Sequence, residues 1–488
     1  MKNLFDLLFT RENLLAVLLC LILIALVIFI AVFVGWLSKG RKLALLAVSA
    51  LVLYWLQPHQ EPVNLMFWLP TLTVFITALS WIITAKPDSR GWKENRAAVI
   101  VLLGVITFVD LNRFFQFDWF FPVETPRLQW IALVILLVSG MAFTLARLGK
   151  FNRFVLMLAV VALIGLLALI KTPSMAAWLF EATATLRGKE AGGQSSLAWL
   201  GFSYVSFRLL HTIFDRLAGR LPSVSLAEYM NYVIFFPAIT AGPIDRVERF
   251  VAGLNSPLPL DAEGWVDAGQ RIFTGLFKKF VVADALAWIA LNETFARDAQ
   301  STGWLWTLLY AYSLRIYFDF SGYTDIAIGL GRLLGVRLPE NFDKPYFKSN
   351  LTQFWNSWHI TLTQWFRSYF FNPLTRAMRS TSKPVSLWVT ILVSQVATMV
   401  LIGLWHGVTV NFIVWGLWHG CGLFIQNRWS EFARARFSAR ATSLSSQRLF
   451  QFAGIFLTFN FVSLGWLFFA LPSPESAWNA MLKLAGVL

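Results

Sequence analysis

Three of the five histidines lie in an aromatic part of the chain, and they are its first candidates for chemistry. A tryptophan precedes each of them, in the segments Trp358-His359, Trp405-His406-Gly407 and Trp418-His419-Gly420. A buried imidazole is expected to carry no charge at neutral pH. It can then take a proton from a hydroxyl that attacks an activated carbonyl, a role typically worth about 10²–10⁴-fold in rate. These residues favour acyl transfer; the alternative for each histidine is a structural role, as a hydrogen bond between helices or as an anchor at the aromatic belt of the membrane.

Helical geometry separates the candidates from one another. His406 and His419 would lie on nearly opposite faces of one continuous helix, so they are not expected to share a site by that route. His359, Thr363 and Arg367 follow at intervals of four residues, which predicts one helical face. The two remaining histidines, His59 and His211, are interpreted as structural.

Other chemistries lack a motif in this chain. No set of His, Asp and Glu at ligand spacing accompanies the three aromatic-flanked histidines, so we expect no metal site. The sequence has no G-x-S-x-G elbow, Walker loop or dinucleotide fingerprint, and we expect no bound cofactor. Cys20 and Cys421 both lie in apolar surroundings, which disfavours a disulfide framework.

The elements that position these residues are predicted to be membrane helices. The chain has 488 residues, of which 57% are hydrophobic and only 14% charged, whereas soluble domains are roughly a quarter charged. Apolar blocks long enough to cross a bilayer recur along it, among them Leu14–Trp36, Leu65–Thr84, Trp130–Leu145 and Phe154–Ile170. The net charge of +15 comes from basic residues in short loops, which is typical of cytoplasmic loops rather than of nucleic-acid binding. We therefore predict an all-α multi-pass integral membrane protein.

The loop charges also predict a topology. Basic connectors at Ser38–Lys42 and Arg428–Arg448 are expected to be cytoplasmic, with the first helix retained and both termini extracytoplasmic. Lys171, together with Arg187 and Lys189, is the exception, because its loop is expected on the outer side. We predict three regions: N-terminal transmembrane helices over 1–200, a catalytic core over 201–427, and a basic loop with a final helix over 428–488.

Between Pro243 and Pro373 the apolar blocks are short and interrupted by Gly, Pro and charge. Irregular backbone at membrane depth is tolerated where it is buried in protein or lines a wet cavity. The His359 segment is basic at both ends, so it is predicted to re-enter the membrane without crossing it. Function is expected in this part of the chain.

In order and spacing, motifs from about Gly201 to Gly420 resemble the membrane-bound O-acyltransferase family. The resemblance is to its bacterial branch, which serves alginate O-acetylation and teichoic-acid D-alanylation. The motifs are Phe235-Phe236-Pro237, Ala241-Gly242-Pro243-Ile244-Asp245-Arg246, Tyr317-Phe318-Asp319-Phe320-Ser321-Gly322-Tyr323-Thr324-Asp325, Glu340-Asn341-Phe342, Lys344-Pro345-Tyr346, Phe354-Trp355, Trp358-His359-Ile360, Trp365-Phe366-Arg367, Gly403-Leu404-Trp405-His406-Gly407 and Trp415-Gly416-Leu417-Trp418-His419-Gly420. The resemblance implies a ring of tilted and broken helices around a central funnel or tunnel.

The resemblance also implies a site. His406 corresponds to the family's essential histidine and His359 to the earlier histidine of the bacterial branch, and both are expected to be catalytic. The residues expected to contact substrate are Arg367, Lys344, Asn341, Trp405 and Trp358. Arg367 and Lys344 would meet the phosphates of a pantetheine carrier. The charged motif residues, expected to form ion pairs that hold broken helices together, are Asp245, Arg246, Asp319 and Asp325.

The implied reaction moves an acyl group from a cytoplasmic thioester, either acetyl-CoA or an acyl-carrier protein, across the bacterial cytoplasmic (inner) membrane. The acceptor is expected to be a cell-surface polymer or a periplasmic acyltransferase, with no nucleic acid involved. Acetyl is favoured over D-alanyl. A transporter, or a scaffold without acyl-transfer activity, is the alternative from another class.

Overall fold

The computed structural model describes residues 40–57, 64–115, 125–147, 153–185, 198–437 and 444–487. The predicted first helix, Leu14–Trp36, and His59 lie outside these residues. Helices dominate the described chain, which contains no β-strand; Phe342 and Trp358 form an isolated antiparallel bridge.

The described residues form two compact units. The first takes those within Met1–Ile170, Ser174–Thr274 and Asp325–Leu338, and the second those within Lys171–Pro173, Gly275–Thr324 and Pro339–Leu488. The first unit contains α1 (Arg41–Trp55), α2 (Leu65–Thr84), α3 (Trp92–Asp110), α4 (Asn112–Phe115), α5 (Leu128–Arg147), α8 (Phe202–Leu217), α9 (Leu226–Ile234) and α10 (Val247–Asn255). The second contains α12 (Asp284–Ala287), α13 (Glu293–Asp298), α15 (Leu351–Trp355), α16 (Ile360–Phe366), α17 (Asn372–Arg379), α18 (Leu387–His406), α19 (Val410–Phe437), α20 (Leu444–Gly465), α21 (Leu467–Ala470) and α22 (Pro474–Leu484). Four helices contribute residues to both units: α6 (Arg153–Lys171), α7 (Pro173–Thr185), α11 (Ala262–Leu276) and α14 (Thr302–Leu333).

Six described helices are long and apolar enough to cross a membrane. They are Leu65–Thr84, Trp92–Phe114, Leu128–Leu145, Arg153–Lys171, Leu387–His406 and Arg448–Ala470. The predicted all-α multi-pass membrane class is thereby confirmed. The sides of the membrane on which the loops lie remain predictions.

Residues 345–379 hold only short helical pieces, none long enough to span a bilayer. They are the 3₁₀ turn Pro345–Phe347, α15, α16, the π-helical turn Arg367–Phe371 and α17. π-Helical turns inside helices frequently occur at functional sites. The interrupted apolar pattern of this stretch therefore corresponds to a broken backbone.

Helices α18 and α19 form an antiparallel hairpin in which glycines let the two backbones touch. A Cβ atom added to Gly420 would lie 2.7 Å from Val396 Cα, and one added to Gly416 would lie 2.7 Å from the Met399 carbonyl oxygen. Glycines spaced four residues apart allow this close approach between membrane helices. The hairpin fixes the end of α18, where Trp405 and His406 lie.

We predict that Gly420→Ala destabilises the protein. The added methyl must displace the α18 backbone, and overpacking of this kind costs about 1–3 kcal/mol in free energy of unfolding. Thermal unfolding of the solubilised protein measures the effect. The control is Gly104→Ala, because a Cβ there meets nothing within 4 Å and alanine is the better helix former. Equal melting temperatures for the two variants would contradict the close packing.

Candidate functional site

The side chain of Trp405 lies close to both of the histidines that the sequence predicts to be catalytic. Its ring centroid is 4.5 Å from that of His406 and 6.2 Å from that of His359. Trp405 and His359 are buried, and His406 is half-buried. The fold thus brings His359 and His406, which are 47 positions apart in sequence, to the same indole ring.

The backbone on either side of His359 is held by pairing with residues 341–343. The Ile360 N–H donates to the Asn341 carbonyl oxygen over 2.9 Å, and the Asp343 N–H donates to the Ser357 carbonyl oxygen over 3.0 Å. His359 itself has φ 43°, a left-handed conformation that side chains other than glycine rarely adopt. Such strain persists where the surroundings enforce it, and it concentrates at functional sites.

Asn341 fixes the orientation of the His359 ring. The Asn341 side-chain oxygen accepts hydrogen bonds from the Thr361 N–H over 3.1 Å and from the Thr361 hydroxyl over 2.9 Å, and it lies 3.1 Å from His359 Nδ1. Because two donors already identify that atom as the acceptor, His359 must carry its proton on Nδ1. Nε2 is then the basic nitrogen of the ring. Asn341 is fully buried, so its geometry is that of a positioning residue.

His406 is the last residue of α18, and aromatic rings surround it. Its ring centroid lies 4.8 Å from that of Phe469, 5.8 Å from that of Trp415 and 5.9 Å from that of Phe412, with which it stacks. No carboxylate of the described residues forms an ion pair with it. An uncharged imidazole suits this environment, since aromatic rings solvate a charge poorly.

Sequence reasoning missed Lys171, which the structure places at this site. Its ammonium lies over the Trp405 ring, 5.7 Å from the centroid, and its carbonyl oxygen accepts a hydrogen bond from the Val408 N–H over 3.2 Å. The sequence does show that Lys171 is unusual, because it follows an apolar block directly and lies in a loop that is expected to lack basic residues.

A cavity of about 170 Å³ lies between α16, α18 and α19 in the same unit. It is lined by Thr352, Trp355, Thr363, Arg367, Phe371, Gln395, Thr398, Met399, Ile402, Leu423 and Asn427. Ile402 lies one helical turn before His406, so the cavity approaches the histidine along α18. Its lining is apolar toward Met399 and Ile402 and polar at the exposed Arg367, whose Nη2 donates to Asn356 Oδ1 over 2.6 Å.

The predicted helical face of His359, Thr363 and Arg367 is only partly present. Thr363 and Arg367 do line one cavity. His359 does not share their face, because α16 begins at Ile360 and the left-handed backbone turns His359 away from the helical path. The prediction failed at His359 because helical periodicity holds only within a continuous helix.

The remaining predicted substrate contacts occupy different surroundings. Trp358 is 5% exposed and packs against the rings of Phe354 and Trp466, at centroid distances of 5.7 and 5.3 Å. Lys344 is exposed, with φ 44°, at the start of the 3₁₀ turn. Trp358 therefore supports the site by packing, while Lys344 is accessible to an anionic ligand.

Each acidic residue of the predicted ion-pair set pairs with a local cation. In the first unit, Asp245 pairs with Arg249 at 2.5 Å rather than with its neighbour Arg246, whose Nη1 lies 3.7 Å from Glu248. Asp325 pairs with Arg271 at 2.7 Å in the same unit. In the second unit Asp319 pairs with Lys279. Asp245 and Asp325 are buried while Asp319 is not, and pairing is what makes a buried carboxylate tolerable.

Among the described residues, one cluster has the composition of a metal site. Ligand atoms of His211, Asp215 and Glu248 lie within 4.8 Å of one another. The Val247 N–H, however, donates to His211 Nε2 over 3.3 Å, and Arg220 pairs with Asp215 at 2.7 Å. These contacts already occupy Nε2 of His211 and one carboxylate oxygen of Asp215, which fits a structural role for His211.

His419 lies in a separate aromatic shell. Its ring centroid is 4.9 Å from that of Trp415 and 5.1 Å from that of Trp355. It is fully buried, and neither ring nitrogen has a hydrogen-bond partner among the described residues. Trp355 lines the cavity described above.

Known proteins resemble the chain over this same region. The profile of the MBOAT, membrane-bound O-acyltransferase family, matches residues 194–464. The teichoic acid D-alanyltransferase of Streptococcus thermophilus is 33% identical over 290 residues, which cover 57% of this chain and 70% of that protein. The probable alginate O-acetylase AlgI of Pseudomonas aeruginosa is 33% identical over 282 residues, 57% of this chain and 50% of that protein. The peptidoglycan O-acetyltransferase of Helicobacter pylori is 32% identical over 271 residues, 54% of this chain and 48% of that protein. The chain thus spans about half the length of these two acetylating relatives.

We predict that Asn341→Ala lowers the free energy of unfolding by about 1–3 kcal/mol, because buried donors on His359 and Thr361 lose their acceptor. Thermal unfolding of the purified protein measures the change. Thr361→Val is the matched control, since it removes one donor and leaves the acceptor in place, and it should cost less. A melting temperature for Asn341→Ala equal to that of the unmutated protein would show that the hydrogen bonds do not hold the ring.

Proposed function

The chain belongs to the membrane-bound O-acyltransferase family, and we propose that it moves an acyl group, acetyl by preference, from a cytoplasmic thioester across the membrane to a hydroxyl of a cell-surface polysaccharide or of its periplasmic partner. His406 is the general base, and His359 assists it. The membrane in this proposal is the bacterial cytoplasmic membrane. The transporter alternative has less support, because the family and its named relatives are acyltransferases.

The observation that supports this mechanism best is the meeting of His359 and His406 at Trp405. A base must lie within reach of the proton that it abstracts, and its ring must be held. Asn341 holds one ring, and the end of the α18–α19 hairpin carries the other. Aromatic packing around both keeps bulk water away from a reactive thioester.

The proposed step conserves protons and electrons. His406 takes the proton of the acceptor hydroxyl while the hydroxyl oxygen forms a bond to the thioester carbonyl carbon. The carbon–sulfur bond then breaks, and the leaving thiolate recovers the proton from His406. The products are an ester and a free thiol, and His406 is neutral again.

The cavity supports a route for the donor. Ligand pockets for drug-sized molecules measure roughly 300–1,000 Å³, so about 170 Å³ suits a slender chain such as a pantetheine arm rather than a nucleotide. Arg367 at its exposed end offers the guanidinium geometry that binds phosphate. Lys344 is a second exposed cation in the same unit. Both coenzyme A and an acyl-carrier protein present a phosphate at that end of pantetheine.

The identity of the acyl group is the open choice within this proposal. The similarity to a teichoic acid D-alanyltransferase supports D-alanyl as the second candidate. The similarities to AlgI and to the peptidoglycan O-acetyltransferase support acetyl. Mass spectrometry of surface polysaccharide, in cells with and without the protein, distinguishes an added acetyl from an added alanyl group.

We predict that His406→Ala reduces acylation of the extracellular polymer by about 10²–10⁴-fold, the usual effect of losing a general base. The assay measures acyl groups on the isolated polymer after the variant is shown to reach the membrane and to melt like the unmutated protein. Full acylation by the variant would leave the protein as a scaffold and reject the proposed base.

We predict that Arg367→Met raises the KM for the thioester donor by about tenfold, since a charged hydrogen bond is lost, while kcat changes little. Initial rates at varied donor concentration measure both constants. Arg376→Met is the control, because Arg376 is also exposed but does not line the cavity. A change in kcat alone would place Arg367 outside the donor path.

A further inference from the structure

The ammonium of Lys171 lies over Trp405, the residue that precedes the proposed base. It lies 5.7 Å from the centroid of Trp405, whose ring is 4.5 Å from that of His406. The Lys171 side chain is half-buried, and it forms no ion pair with a carboxylate of the described residues. A half-buried cation without a counter-charge favours the approach of an anion.

The backbone holds this cation in place from both sides. Lys171 ends α6, and its carbonyl oxygen accepts the Val408 N–H two residues after His406. A lysine at a membrane surface ordinarily extends its ammonium toward water or headgroups. Here the ammonium lies against the face of Trp405 instead. The contact therefore keeps the charge next to Trp405, the residue before His406.

Lys171 precedes residues 194–464, which match the family profile. Lys171 nevertheless belongs to the same compact unit as α18, which carries Trp405 and His406.

Acyl transfer creates negative charge next to the base. When a hydroxyl attacks a carbonyl, the carbonyl electron pair moves onto oxygen and forms an oxyanion. A fixed cation in a water-poor site stabilises that charge strongly, because the local dielectric is low. The carbon that is attacked must lie close to His406, since His406 removes the proton of the attacking hydroxyl.

We propose that Lys171 is a catalytic residue that stabilises the oxyanion of the tetrahedral intermediate. The inference rests on the proposed function. As the hydroxyl oxygen bonds to the carbonyl carbon, the new oxyanion pairs with the Lys171 ammonium, which keeps its proton. When the carbonyl re-forms, the carbon–sulfur bond breaks and the thiolate takes the proton held by His406.

The test uses the purified full chain in detergent with p-nitrophenyl acetate as the ester probe and water or glycerol as the hydroxyl. His406→Ala defines the background. We expect Lys171→Met to lower the His406-dependent kcat by about 10–10³-fold, the range for loss of an oxyanion donor, with KM within about twofold. Lys171→Arg, which keeps the charge, should recover much of the loss. Lys383→Met is the matched control at an exposed lysine, and its rate should not change.

The outcomes separate the two proposals. If His406→Ala is as fast as the unmutated protein, the proposed base fails, and this inference fails with it. If the rate depends on His406 but Lys171→Met retains full kcat, only the inference about Lys171 is overturned. A rise in KM without a fall in kcat also overturns it, because the cation would then bind an anion of the substrate in its ground state.

Discussion

The backbone contact between α18 and α19 is the constraint on which the site depends. Gly416 and Gly420 permit that contact, because any side chain there would meet the facing backbone. The contact sets where α18 ends, and therefore where Trp405 and His406 lie. Both helices also line the cavity, so its width follows from the same packing. The glycine after His419 is thus explained by helix packing rather than by chemistry.

Much of this architecture can be predicted from the sequence, because bilayer thickness dictates long apolar blocks. The block Leu65–Thr84 is a helix with those same bounds. The predicted face through His359 was wrong at its first residue, since periodicity cannot show that the backbone becomes left-handed there. Broken helices are set by tertiary contacts such as the pairing of Asn341 with Ile360, and a local pattern does not contain them.

The supporting residues of the site were the harder part to predict. Asn341 stands 18 positions before His359, and its motif suggested a substrate contact, while the structure buries it as a hydrogen-bond acceptor. Lys171 was counted only as a loop charge, because its unusual position does not show which indole its ammonium contacts. The partners of Asp319 and Asp325, which are Lys279 and Arg271, were likewise invisible. Each of these depends on which helices become neighbours.

In the proposed mechanism, the absence of an acidic partner at His406, within the described part of the chain, limits how the proton can move. In triads of serine, histidine and aspartate, a carboxylate stabilises the imidazolium while it lasts. His406 has aromatic rings in that place, and rings stabilise a cation less than an ion pair does. A protonated His406 would therefore be short-lived, and it would return its proton as soon as a thiolate forms. His359 cannot take over this role through Nδ1, which donates to Asn341. In the proposed mechanism His406 removes and returns the proton, and His359 assists through Nε2, the nitrogen that can accept a hydrogen bond.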